Sequence, residues 1–166
     1  ARGYELPTFW GNRNWHPFLS DAVEQLKADG HKSTVCLVTS AFSSYSGCRQ
    51  YHEDLEVACS AVSEPPAIQR VRVFWNHPGF LGSAAELLAE SRVNANLSTN
   101  TPVLHTAHSL PLSMAANSDY EAQLNEAAEI VNELAGMEGP SEVVFQSRSG
   151  PPSVPWLEPS IDTLPQ

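Results

Sequence analysis

A chain of 166 residues with 42% hydrophobic and 17% charged side chains lies within the size and composition of one ordinary globular domain. Nineteen acidic against nine basic side chains give a net charge of −10, which argues against nucleic acid or an anionic membrane surface as the main partner. No apolar run approaches the roughly 20 residues that a membrane span needs and no stretch has the order of a signal peptide, so no integral membrane segment and a cytoplasmic location are expected.

In chain order, Leu6 to Trp10 reads as a short strand with nothing before it to complete a sheet, and Ala1 is not an initiator methionine, so the chain is expected to begin mid-fold. Trp15 to Asp29 places Phe18, Leu19, Ala22, Val23 and Leu26 on one helical face, with Gly30 as the stop. Thr34 to Thr39, TVCLVT, is nearly continuous in β-branched and apolar residues, as in a parallel strand covered on both faces. The loop SAFSSYSGC then gathers hydroxyls and backbone N–H groups at a strand end, before a helix from about Arg49 to Ala61. Arg70 to Trp75 predicts a third strand, NHPG a turn and Leu81 to Arg92 a helix.

The stretch TPVLHTAHSLPLS, Thr101 to Ser113, is the centre of the chemistry. At strand period Leu104, Thr106 and His108 point one way and Val103, His105 and Ala107 the other, so the two histidines cannot grip one metal together. Ligands of open parallel sheets collect beyond the carboxyl ends of strands, which singles out His108 and leaves His105 as a packed or hydrogen-bonded sheet histidine. Ser118 and Glu121 suggest a capping box before a helix whose Tyr120, Leu124, Ala127, Ala128, Val131 and Leu134 share a face, ended by Gly136. Glu142 to Ser147 predicts the last strand, and the proline-rich remainder excludes another helix or central strand. Five strands alternating with four helices predict an α/β fold with parallel pairing. Cys36 falls in a strand while Cys48 and Cys59 flank a helix, which is not a disulfide framework.

FWGNRNWHPF, TSAFSSYSGCRQY, TAHSLP and VFQSRSGPPSVPWLEP, in this order, resemble the ferrochelatases, and within them the actinobacterial coproporphyrin III type. The resemblance implies insertion of ferrous iron into coproporphyrin III or protoporphyrin IX in haem biosynthesis, with the macrocycle between two Rossmann-like lobes of parallel sheets flanked by helices. It implies that residues 1–92 form the C-terminal part of the first lobe with a crossover helix, and residues 93–166 the N-terminal part of the second. The chain is thus expected to be a central fragment, inactive alone. His108 matches the family histidine facing the macrocycle centre, as Fe²⁺ ligand or as acceptor of pyrrole protons; either role wants a neutral imidazole near physiological pH.

By the same resemblance Tyr51 and Arg13 are porphyrin-binding residues, and Trp156 lines or supports the pocket with Gln146, Ser147 and Arg148. Asn14 departs from the family pattern in the approach to the site. Cys48 matches one ligand of a two-iron two-sulfur cluster whose other three cysteines, like the glutamate facing the histidine, are expected beyond Gln166. The porphyrin is the expected partner, with transient contact to other haem-pathway enzymes. A non-catalytic tetrapyrrole-binding module is the alternative, favoured by the missing glutamate. A nucleotide-binding domain is weak, since no GxGxxG or GxxxxGK[ST] string occurs.

Overall fold

The computed structural model describes residues 5–151 and 153–164, with the backbone alone at 46 and 48. It is a mixed α/β structure with two small parallel sheets flanked by helices. The chain divides into two compact units: one runs to Thr39 and resumes from Ser46 to Arg72, and the other holds Ser40–Tyr45 and everything from Val73. The division expected after Arg92 falls inside a helix that belongs with the second unit.

In the first unit, α1 (Leu19–Ala28) opens where the Asp21 carboxylate accepts from the Phe18 N–H at 2.7 Å, and it closes at Gly30, whose φ of 79° suits a residue without Cβ. It buries Val23 and Leu26 and packs on α2 (Tyr51–Ser60), which buries Leu55 and Ala58. Between them β1 (Ser33–Cys36) leads into a π-helical turn over Tyr45–Gln50 that feeds α2. β1 pairs in parallel with β2 (Ala67–Arg70), in register from Ser33 opposite Ala67 to Cys36 opposite Arg70.

Three expectations fail in this unit. The strand expected at Thr34–Thr39, covered on both faces, is Ser33–Cys36, with Val35 68% exposed. Leu6–Trp10 forms no strand: the nearest pairing is a single bridge between Asn12 and Phe18, because a strand exists only where its backbone groups find a neighbouring edge. The strand expected at Arg70–Trp75 lies earlier, at Ala67–Arg70, because its length and place are set by the four-residue partner β1; just past it the Val71 N–H reaches the Cys36 carbonyl at 2.9 Å. Four strands, not five, are present among the described residues.

In the second unit, α3 (Pro78–Asn94) begins with proline in its first turn and the His77 ring accepting from the Gly79 N–H at 3.1 Å. β3 (Val103–His108) is followed by the short α4 (Leu112–Ala115), α5 (Tyr120–Ala135) and β4 (Ser141–Gln146), and β3 pairs in parallel with β4 from Val103 opposite Ser141 to His108 opposite Gln146. The expected Ser118–Glu121 capping box does not form. Asp119 is the cap, with no side-chain bond, and the Ser118 hydroxyl donates back to the Ala115 carbonyl. Gly136 ends α5 in the left-handed conformation as expected, at φ 66°.

α5 has two apolar sides. Ala128, with half-buried Tyr120 and Leu124, packs on Ala107, Val143 and Phe145 of the sheet, while Ala127, Val131 and Ala135 pack on Leu81 and Ala85 of α3. Leu134, expected on the buried face, is 59% exposed, and the buried places it leaves are taken partly by Gln123 and Asn132. Among the described residues no helix is long and apolar enough to cross a membrane.

Candidate active site

His108 occupies the last position of β3 and is exposed, like Leu104 and Thr106 on the same side of the strand. His105, earlier in the strand and on its inner face, lies beside α5, where its Nε2 is 3.1 Å from Oδ1 of buried Asn132. The assignment of His105 as a hydrogen-bonded sheet histidine agrees with this contact. The backbone after His108 is firmly tied. The Ser109 N–H donates to the Gln146 carbonyl at 2.8 Å, and the Ser109 hydroxyl, 2% exposed, donates to the Leu157 carbonyl at 3.0 Å.

The segment carrying Trp156 folds back on the turn that follows His108. Pro111 and Trp156 form an antiparallel bridge flanked by bonds from the Leu157 N–H to the Leu110 carbonyl and from the Leu112 N–H to the Pro155 carbonyl. A proline-rich tail can still pair at isolated positions, here with the turn after β3 at Pro111 and with β4 through the Phe145–Ser160 bridge. Trp156 and His108 are thus brought to one end of this sheet, and the Trp156 indole Nε1 is buried without a partner among the described residues. Gln146 is the rung opposite His108, Ser147 turns out of the strand at a positive φ of 60°, and Arg148 donates to the Val154 carbonyl at 3.1 Å.

The first unit brings Arg13 and Tyr51 together. The Arg13 guanidinium lies 5.2 Å from the centre of the Tyr51 ring, and its Nε donates to the Asp54 carboxylate. Asp54 was not singled out in the sequence, although its place three residues after Tyr51 puts both on one side of α2. Asn14, next to Arg13 in the chain, is exposed.

Two further contacts are not foreseen by the sequence pattern, which places Tyr120 only on an apolar helix face and does not single out Gln123. Tyr120, first in α5, donates its hydroxyl to the His108 carbonyl at 3.1 Å. Burial pushes its phenol up, so it keeps the proton it donates. Gln123, one turn later, accepts from the Ser43 N–H at 2.8 Å and donates to the Ser43 hydroxyl at 2.8 Å, which ties the front of the serine-rich loop to α5. A tyrosine and a glutamine in the first turn of the helix after the histidine turn were the available signal.

Burial pushes the Cys36 and Cys59 thiols up, against the thiolate form that metal binding requires. The Cys48 side chain lies outside the described residues. No group of three His, Cys, Asp or Glu side chains that could hold a metal occurs among the described residues, so they do not by themselves fit an iron–sulfur cluster.

The fold is a parallel α/β architecture with an exposed histidine at a strand's carboxyl end, next to a serine held by a buried bond. The sequence model described as Ferrochelatase matches residues 1–165, and the chain belongs to that family. It is 47% identical over 163 residues to the ferrochelatase of Rhodopirellula baltica, covering 97% of this chain and 46% of that protein. To the coproporphyrin III ferrochelatase of Frankia alni it is 45% identical over 178 residues, covering 94% of this chain and 44% of the relative. To that of Streptomyces griseus it is 39% identical over 185 residues, covering 96% and 48%. The chain spans about half the length of the curated relatives it matches.

Proposed function

We propose that this chain supplies the metal-facing histidine of a cytoplasmic ferrochelatase that inserts Fe²⁺ into coproporphyrin III in haem biosynthesis. The supporting observation is His108, exposed at the end of β3 while its neighbour His105 is committed to Asn132. Insertion exchanges two pyrrole N–H protons for one Fe²⁺, so the site must accept protons as the metal enters. A neutral imidazole has one lone pair, which serves either as the Fe²⁺ ligand or as the acceptor of a pyrrole proton. Arg13 is suited to a carboxylate of the porphyrin edge, Tyr51 offers an amphipathic ring to a flat apolar ligand, and Trp156 is a further porphyrin contact. The iron is substrate in this reading. Cys48 is one ligand of a two-iron two-sulfur cluster whose other ligands lie outside these 166 residues, and the product passes to other haem-pathway enzymes by transient contact.

The test uses the protein extended to the length of its relatives, with turnover followed by porphyrin absorbance under anaerobic Fe²⁺. His108→Ala is expected to bind coproporphyrin III normally and to lose turnover by about a hundredfold or more. His105→Ala is expected to keep most turnover while its unpartnered Asn132 lowers stability by roughly 1–3 kcal/mol. Retained turnover in His108→Ala sinks the assignment. Tight porphyrin binding with no insertion by the unsubstituted protein would instead favour the tetrapyrrole-binding module.

A further inference from the structure

The exposed His108 side chain takes its position from the backbone that carries it, and that backbone is held from α5. Tyr120 is the first residue of that helix, and its hydroxyl reaches the His108 carbonyl at 3.1 Å. The tyrosine is itself fixed. Its ring packs in the cluster formed by Ala107, Ala128 and Phe145, and meets the Phe42 ring edge-on at 6.2 Å between centres. One turn further, the paired bonds between Gln123 and Ser43 anchor the same end of the helix. On the chain's other side, buried Ser109 is bonded to Leu157 and Gln146. The exposed side chain of His108 therefore stands on a backbone fastened at two points.

We propose that Tyr120 is a positioning residue for the metal-insertion step, holding the His108 backbone through its hydroxyl so that the imidazole meets the macrocycle in one orientation. This rests on the ferrochelatase reading of His108. A displacement of about 1 Å in a reacting group can cost on the order of a hundredfold in rate, so loss of one tether with the ring retained should cost about tenfold.

The experiment is done in the protein extended to the length of its relatives, with His108→Ala assayed beside it. Tyr120→Phe is expected to lower kcat about tenfold per porphyrin-binding site, with KM for coproporphyrin III within about twofold, since the reacting geometry changes while the binding contacts do not. In the His108→Ala background the same substitution is expected to add no further loss. If His108→Ala keeps turnover, the function itself is misassigned. If His108→Ala is inactive and Tyr120→Phe has the parent kcat, only the positioning role is overturned. Should Tyr120→Phe fold poorly, 4-fluorophenylalanine at position 120 keeps the ring and fills the place of the hydroxyl with a group that cannot donate, and the same fall in kcat of about tenfold is expected. A kcat equal to the parent's in that variant overturns the proposal.

Discussion

Arg13 is held by partners that lie far from it in the sequence, the Tyr51 ring and the Asp54 carboxylate 41 residues on. The ion pair is partly exposed and so contributes little stability; its effect is to aim the guanidinium. In the protein extended to the length of its relatives, Arg13→Ala is expected to raise KM for coproporphyrin III about tenfold with kcat nearly unchanged, the loss of one charge-assisted contact. Arg13→Lys should recover only part, since an ammonium restores charge but not the planar fork. Equal KM in all three proteins would remove Arg13 from the porphyrin site. For Cys48, the extended protein and its Cys48→Ser variant are compared by visible absorbance and bound iron. The variant is expected to lose the cluster signal, and equal signals would strike Cys48 from the ligand set.

At the scale of elements, the approach to β3 and the approach to β4 are clasped together. The Glu138 and Gly139 N–H groups both donate to the Thr99 carbonyl, and the Thr99 hydroxyl bonds the Glu138 carboxylate at 2.9 Å. A Cβ on Gly139 would meet the Asn100 carbonyl oxygen at 2.4 Å, whereas one on Gly136 would meet open space and only the strain of φ 66°. Gly136→Ala is therefore expected to cost about 1 kcal/mol. Gly139→Ala, which must push two backbone segments apart, should cost roughly 2–3 kcal/mol. Denaturant melts of the two variants decide it, and equal losses would contradict the close approach. The glycine that ends α5 was legible from its place after the last apolar position. Gly139 was not, because nothing local marks a residue against which a distant carbonyl packs.

At the scale of the whole molecule, among the described residues each unit holds a two-stranded sheet, below the size at which sheets are stable alone without covering. In the first, Val35 and Val57 are 68% and 69% exposed; in the second, Leu104 of β3 is 50% exposed. The 166-residue chain by itself is expected to bind a hydrophobic dye, to melt broadly and to insert no iron, because the margin between burial and chain entropy is narrow even in complete domains. A sharp cooperative melt together with measurable Fe²⁺ insertion into coproporphyrin would overturn this.

Local repeat sufficed for part of this protein. The two-residue period of a strand placed His108 and His105 on opposite faces, apolar runs marked parallel strands, Gly136 marked a helix end, and four motifs carried the family. Partnership did not follow from repeat. That Leu6–Trp10 finds no edge, that Gln123 meets Ser43 across 80 residues, Asn132 meets His105 across 27 and Arg13 meets Asp54 across 41 was decided only by packing. Periodicity is a property of the backbone's own geometry, whereas a buried polar group takes whichever distant partner the fold carries to it.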